Sequence, residues 1–116
     1  MADATETPRH TISTHVLDTD RGMPAVGVRV ALYRLDVAGG KPIRMTQALT
    51  DGDGRIRDLL ERPLTVGEYR LEFDVAQADG AFFTKISVEL QIDDIGRSYH
   101  VPLLLAPYSM TLYRGS

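Results

Sequence analysis

Two histidines and one arginine carry the chemistry that this sequence can offer. His15 stands in "STHVLD", His100 in "SYHVPLLLA" and Arg55 in "TDGDGRI". An imidazole changes charge near neutral pH and can take a proton from water. A guanidinium stays cationic and can neutralise negative charge as it develops. The three together form the inventory of a metal-free hydrolytic site. Taken singly, each histidine reads more readily as structural than as functional, because a ring within a strand must find hydrogen-bond partners or stay accessible. A third histidine, His10, lies in the polar N-terminal stretch and is assigned nothing.

The other chemistries fall away. Two histidines without further ligands are too few for a structural zinc site. "DGDGRI" resembles the start of a calcium loop, which wants oxygen ligands at its first, third and fifth positions and a carboxylate at its twelfth. Here the fifth position is Arg55 and the twelfth is Arg62, and a cation in a ligand position argues against calcium. The stretch reads as a Gly-rich turn that sends Arg55 off in a fixed direction. There is no GxSxG and no Cys–His arrangement. The inventory calls for no cofactor and no metal.

The chain around these residues is 116 long, a length that suits one domain. Its apolar fraction of 43% and charged fraction of 25% fit a soluble globular protein. A net charge of −3 gives no basic footprint for nucleic acid and no polybasic patch for a membrane surface. No apolar stretch reaches the ~18 residues that span a bilayer. The opening "MADATETPRHT" lacks the apolar core of a secretory signal, and without cysteine there is no disulfide framework. The cytoplasm is the expected compartment. Residues 1–10 are expected to form a flexible tail before a single domain over 11–116.

The elements that must position the three residues are strands. Ile12, Thr14 and Val16 alternate with Ser13, His15 and Leu17. Val26 to Tyr33, Glu68 to Val75 and Ile86 to Asp93 alternate in the same way. Period 2 marks half-buried strands. The turns "DRGMPAVG", "VAGGKP", "TDGDG", "TVGE", "ADG" and "DDIG" separate them. Only "DVAQADG", residues 74–80, could hold a short helix. Seven or eight short strands at this spacing predict an all-β fold, a two-layer β-sandwich.

The C-terminal stretch behaves differently. In "SYHVPLLLA", Tyr99, Val101, Leu103 and Leu105 make one face apolar, and Pro102 and Leu104 do the same for the other. An antiparallel sheet in a monomer commonly wets one face. A strand apolar on both faces predicts a homo-oligomer whose second subunit covers the outer one. Pro102 fits only where its missing N–H is not needed. "PYSMTLYR" would be the adjacent strand, an edge that needs covering or pairing.

Three separated segments carry a resemblance. "HVLDTDRGMPAVGVRVALYR", "TDGDGRI" and "YHVPLLLAPYSMTLYRGS" resemble the transthyretin family, and specifically its enzyme branch, the 5-hydroxyisourate hydrolases. The likeness runs from about Ile12 to Ser116 in matching order and spacing. A terminal Tyr-Arg-Gly-Ser is the hallmark of the enzymes as against the hormone carriers, so Tyr113 to Ser116 look like part of a site and not like a cloning remnant.

The resemblance implies a transthyretin-like sandwich with one short helix. It implies a homotetramer, a dimer of dimers, with sites at the ends of a central channel. It implies hydrolytic opening of the lactam of 5-hydroxyisourate to 2-oxo-4-hydroxy-4-carboxy-5-ureidoimidazoline, between urate and allantoin. The first motif's histidine falls on His15, the arginine of "DGR" on Arg55 and the second histidine on His100. One histidine would be the general base, with the other orienting water or protonating the leaving nitrogen. Arg55 would bind the anionic ring and stabilise developing charge. Tyr113 and the carboxylate of Ser116 would fix the substrate, with His15 also in contact. The stretch 74–83 is shorter than in many relatives, and Met110 and Leu112 stand where small or polar residues are frequent. The alternative is a transthyretin-like carrier of a small aromatic ligand, for which two histidines and an arginine at a channel mouth would carry a desolvation cost.

Overall fold

The computed structural model describes residues 10–76 and 80–115. Within them run nine strands: β1 (Ile12–Asp18), β2 (Met23–Pro24), β3 (Arg29–Arg34), β4 (Ile43–Leu49), β5 (Arg55–Ile56), β6 (Gly67–Asp74), β7 (Lys85–Ile92), β8 (Tyr99–Ala106) and β9 (Ser109–Leu112). They build two sheets. One has the order β2-β1-β8-β9, with β5 also paired to β1; the other has the order β4-β3-β6-β7. This is the all-β, two-sheet sandwich that the alternation predicts. No helix occurs among the described residues. Residues 77–79, inside the stretch expected to hold the short helix, lie outside them.

Alternation decides what each sheet buries. Ile12 and Val16 of β1 are fully buried, as are Val30 and Leu32 of β3, Leu71 and Phe73 of β6, and Leu103 of β8. Burying each such side chain is worth about 1.5–3 kcal/mol. Leu59, Leu60 and Leu64, from the segment after β5, join the same core. The Leu59 N–H donates to the Ile12 carbonyl at 2.9 Å, which ties that segment to the start of β1. The buried Thr14 hydroxyl donates to the Val101 carbonyl at 2.6 Å, so its polarity is satisfied inside the sandwich.

The pairing that matters for chemistry is between β1 and β8. It is parallel and joins residues 87 apart, with Ser13 opposite His100 and His15 opposite Pro102. β5 lies antiparallel on β1, with His15 opposite Arg55. Paired residues project from the same face of a sheet. Ile12, Thr14 and Val16 point into the core. Ser13, His15, Arg55, His100 and Pro102 therefore project from the opposite, outer face.

Pro102 leaves its mark on the neighbouring ladder. Pairing of β8 with β9 runs from Ala106–Ser109 to Leu103–Leu112, and resumes as a single bridge at His100–Gly115. The Gly115 N–H donates to the His100 carbonyl at 2.8 Å. In an antiparallel ladder hydrogen-bonded pairs recur at every second residue. The next such pair would be Pro102–Tyr113, and Pro102 has no N–H to give. The ladder lapses there, and Tyr113 and Arg114 lie outside strand pairing.

Candidate active site

Three strands bring the three chemical residues onto one patch of the outer face. The "DGDG" turn delivers Arg55. Asp51 Oδ1 accepts the backbone N–H groups of Asp53 and Arg55, each at 2.9 Å. Asp51 Oδ2 accepts from the Arg57 guanidinium at 2.9 Å. Those bonds, the backbone N–H of Arg55 foremost, hold the Asp51 carboxyl below the usual carboxylate range. Gly54 closes the turn with φ of +77°, the left-handed region that favours glycine. Its carbonyl accepts the Val16 N–H at 2.8 Å, so the turn is stitched to β1 beside His15.

The consequence for charge is specific. Arg57 is tied to Asp51 and sits 3.9 Å from Asp53. Among the described residues the Arg55 guanidinium has no counter-ion and no hydrogen-bond partner. It is half-buried, and its five N–H donors are uncommitted. Such a group can anchor an anion that the described residues do not supply.

The two histidines are held differently. His15 Nε2 lies 2.9 Å from the Asp53 carbonyl oxygen. A carbonyl can only accept, so Nε2–H donates and Nδ1 is the free nitrogen of that ring. His100 Nδ1 lies 2.8 Å from Ser13 Oγ, and among the described residues its Nε2 is the uncommitted nitrogen. Burial pushes the His100 imidazole below its ordinary value of 6.5, and the charges of Arg55 and His15 push it further the same way. Its neutral form, the one able to accept a proton, is thereby favoured. Gly115 borders the ring: a Cβ there would stand 3.2 Å from His100 Cδ2 and 3.5 Å from Pro102 Cγ.

His15, Arg55 and His100 thus share one surface. Tyr113 is half exposed and, with Arg114 and Leu112, borders a groove of about 420 Å³ at the sandwich edge between β7 and the end of β9. Among the described residues it forms no hydrogen bond with His15 or His100. Ser116 lies outside the described residues. No metal-holding group of His, Cys, Asp or Glu occurs among the described residues. Nor do they form a helix long and apolar enough to cross a membrane.

The structure adds participants that the residue types do not announce. Ser13 is one of several serines, marked only by standing two positions before His15 on the same face. Asp51 is visible as an Asx turn in "DGDG", but not as the group that frees Arg55 by taking Arg57. The Asp53 carbonyl is backbone and leaves no signal in the residue types.

Known proteins share the sequence and the fold of this chain. Residues 12–115 match the model of the HIUase/Transthyretin family. A 5-hydroxyisourate hydrolase of Deinococcus radiodurans is 43% identical over 115 residues, covering 90% of this chain and 95% of that protein. Among solved structures, Klebsiella pneumoniae 5-hydroxyisourate hydrolase superposes with a TM-score of 0.79 at 34% identity, covering 92% of this chain and 99% of the other. Sea bream transthyretin in complex with thyroxine superposes with a TM-score of 0.80 at 28% identity, covering 90% of this chain and 93% of the other.

Proposed function

The chain belongs to the HIUase/Transthyretin family, and from that premise we propose that it is a 5-hydroxyisourate hydrolase acting in the degradation of urate. The observation that carries this reading is the shared outer face of His15, Arg55 and His100, with the Arg55 guanidinium free of any internal counter-ion among the described residues.

The chemistry follows from that geometry. The anionic ring of the substrate docks on Arg55, which presents a planar fork of donors to it. His100, whose charged form is disfavoured by burial and then by its neighbours Arg55 and His15, takes a proton from water at Nε2. The water oxygen adds to the lactam carbonyl carbon. Arg55 faces the oxyanion that forms, where a fixed cation is worth most in a site shielded from water. The carbon–nitrogen bond of the lactam then breaks, the departing nitrogen takes the proton that His100 removed from water, and the former carbonyl carbon ends as a carboxylate whose remaining proton goes to solvent. His15, anchored through Nε2–H on Asp53, offers Nδ1 to orient the water or to pass the proton to the leaving nitrogen. Tyr113 and Ser116 are assigned to substrate fixation in the assembled protein.

The assembly proposed is a homotetramer, a dimer of dimers. Several features support it. β7 and β9 end their sheets with free edges among the described residues. Leu104 and Ala106 are only half-buried on the outer face of β8. Phe82 and Tyr108 are 69% and 81% exposed, a poor state for such rings in a lone subunit. The cytoplasm is the compartment proposed, in keeping with a cysteine-free chain.

The likeness to a thyroxine-bound transthyretin raises a carrier as the second reading. A carrier of an apolar ligand gains nothing from an unpaired guanidinium and two imidazoles, whose desolvation it would have to offset. The test is direct. Urate oxidase generates 5-hydroxyisourate from urate, and its ultraviolet absorbance decays slowly unaided. Addition of the protein should speed that decay by orders of magnitude; a decay rate equal to the blank would leave the carrier.

A further inference from the structure

We propose that Ser13 is a positioning residue for His100: its Oγ holds the Nδ1–H of the ring, and so turns the Nε2 lone pair toward the substrate. The proposal rests on the reading of this face as a hydrolytic site, and it assigns the nitrogen that does the work.

The contact is fixed by the fold. Ser13 and His100 are direct partners in the parallel ladder between β1 and β8. Neighbouring strands lie about 4.8 Å apart. A serine is short, and across that gap its hydroxyl reaches the nearer ring nitrogen, Nδ1, at 2.8 Å. On the other side, the Gly115 backbone stands against Cδ2. Among the described residues the ring is therefore held at Nδ1 and bordered at Cδ2, and Nε2 is the corner they leave open.

A hydroxyl can donate or accept, so two neutral forms of the ring are compatible with the contact. They differ in what they offer a substrate. If Ser13 donated, Nδ1 would hold the lone pair, Nε2 would carry the proton, and His100 could not act as a base at its open corner. If Ser13 accepts Nδ1–H, Nε2 is the lone pair. The second arrangement also needs no change during the reaction: once Nε2 has taken the proton from water, Nδ1–H is still bonded to Oγ. In that cation the bond is charge-assisted and stronger, so Ser13 helps the ring accept the proton as well as aim it.

The neutrality of the partner matters. A carboxylate in this place would orient the ring more firmly, but it would raise the basicity of the imidazole and oppose an anionic substrate. Among the described residues the charged and titratable groups acting on the ring are His15 from β1 and Arg55 from β5, while Gly115, after β9, brings no side chain to it. A serine leaves the Arg55 charge for the substrate.

The test uses Ser13→Ala, Ser13→Thr and the unaltered protein. Ser13 projects from the outer face, so neither variant disturbs the core, and circular dichroism checks that each is folded. Nitrogen-15 NMR of the histidine rings, without substrate, should show His100 as the Nδ1–H form in the unaltered protein. Ser13→Ala should lose that preference, and Ser13→Thr should keep it. In the absorbance assay Ser13→Ala should lower kcat by about 10- to 100-fold, the range for losing the hydrogen-bond partner that orients a metal-ligating histidine, with KM little changed. Ser13→Thr should stay within a few-fold of the unaltered protein. An Nε2–H ring in the unaltered protein, or a Ser13→Ala variant with undiminished kcat, overturns the proposal. Failure of the unaltered protein to hydrolyse 5-hydroxyisourate would instead overturn the substrate, and the ring form measured without substrate would still decide the role of Ser13.

Discussion

The backbone N–H of Gly115 donates to the carbonyl of His100 at 2.8 Å, which lays the end of the described chain across the edge of the imidazole. The "YRGS" segment thus touches the candidate site first through its glycine. A Cβ there would come within 3.2 Å of His100 Cδ2, closer than an ordinary contact. Gly115→Ala should therefore fold normally, since the glycine is outside the core and its φ is not in the left-handed region. It should push the ring by a few tenths of an ångström. Because misplacement of about 1 Å can cost on the order of 10²-fold, we expect a loss in kcat/KM of roughly 3- to 30-fold, read in the absorbance assay. Unchanged kinetics would show that Gly115 merely passes by.

Gly54 sets a sharper limit. With φ of +77° and a prospective Cβ only 2.5 Å from the Val16 carbonyl oxygen, the position excludes any side chain. The strain of the backbone alone is worth about 1 kcal/mol, and the collision must also lift the turn off β1. Gly54→Ala should lower the thermal midpoint. It should also reduce activity beyond what the loss of fold explains, because Arg55 follows immediately. Thermal melts and kinetics on the folded fraction separate the two effects, and a variant with full activity per folded molecule would show that Arg55 keeps its place without the turn.

The His100 imidazole lies below its ordinary value of 6.5, chiefly through burial and then through Arg55 and His15. A base must be neutral, so kcat/KM should rise with pH along a limb whose midpoint is below 6.5 and be level at about pH 7. The same shift acts on stability. At pH values between the folded midpoint and 6.5 the unfolded chain binds more protons at this residue than the folded one. The stability tied to the neutral ring is thus complete above 6.5 and is lost as pH falls through the folded value. His100→Asn should flatten that part of the stability profile. An activity limb centred above 6.5 would argue that a different group is the base.

Legibility in the sequence followed burial. β1, β6 and β7 have one face in the core, and their alternation reads directly. β4 is exposed or half-exposed along its whole length, and no period marks it. The parallel pairing of β1 with β8 joins residues 87 apart, and nothing local specifies it. His15, Arg55 and His100 stood out by type, and the resemblance grouped them. Their common face, though, is a property of register, visible only once β5 and β8 are seen on either side of His15. Ser13 and the Asp53 carbonyl could not have been found, since one is a common polar residue and the other is backbone.

Assembly has its own measurement. A tetramer should scatter light as a particle of four times the 12.8 kDa chain mass. Leu104→Lys places a charge on the outer face of β8, where a neighbouring subunit is expected, and should lower that mass. A monodisperse monomer at micromolar concentration would remove the proposed channel, and with it the roles assigned to Tyr113 and Ser116.

Arg55→Gln tests the site as a connected system, because Arg55 acts on the reaction in two ways. Its guanidinium binds the anionic ring and the oxyanion, and loss of such a donor costs about 10²–10³-fold in rate. Its charge also disfavours the imidazolium of His100, as one of the causes of that residue's lowered value. Glutamine keeps hydrogen-bonding capacity and similar length but removes the charge. The variant should therefore be slow, and its acid limb should also move to higher pH, because the proton on His100 is no longer opposed by a neighbouring cation. Burial and His15 still act on the ring, so the limb should stay at or below the ordinary 6.5. The pH profile of kcat/KM reads both effects in one experiment. A slow variant whose limb does not move would mean that Arg55 serves the substrate alone. A limb that moves without loss of rate would mean that it acts only on His100, and the anion would need another anchor.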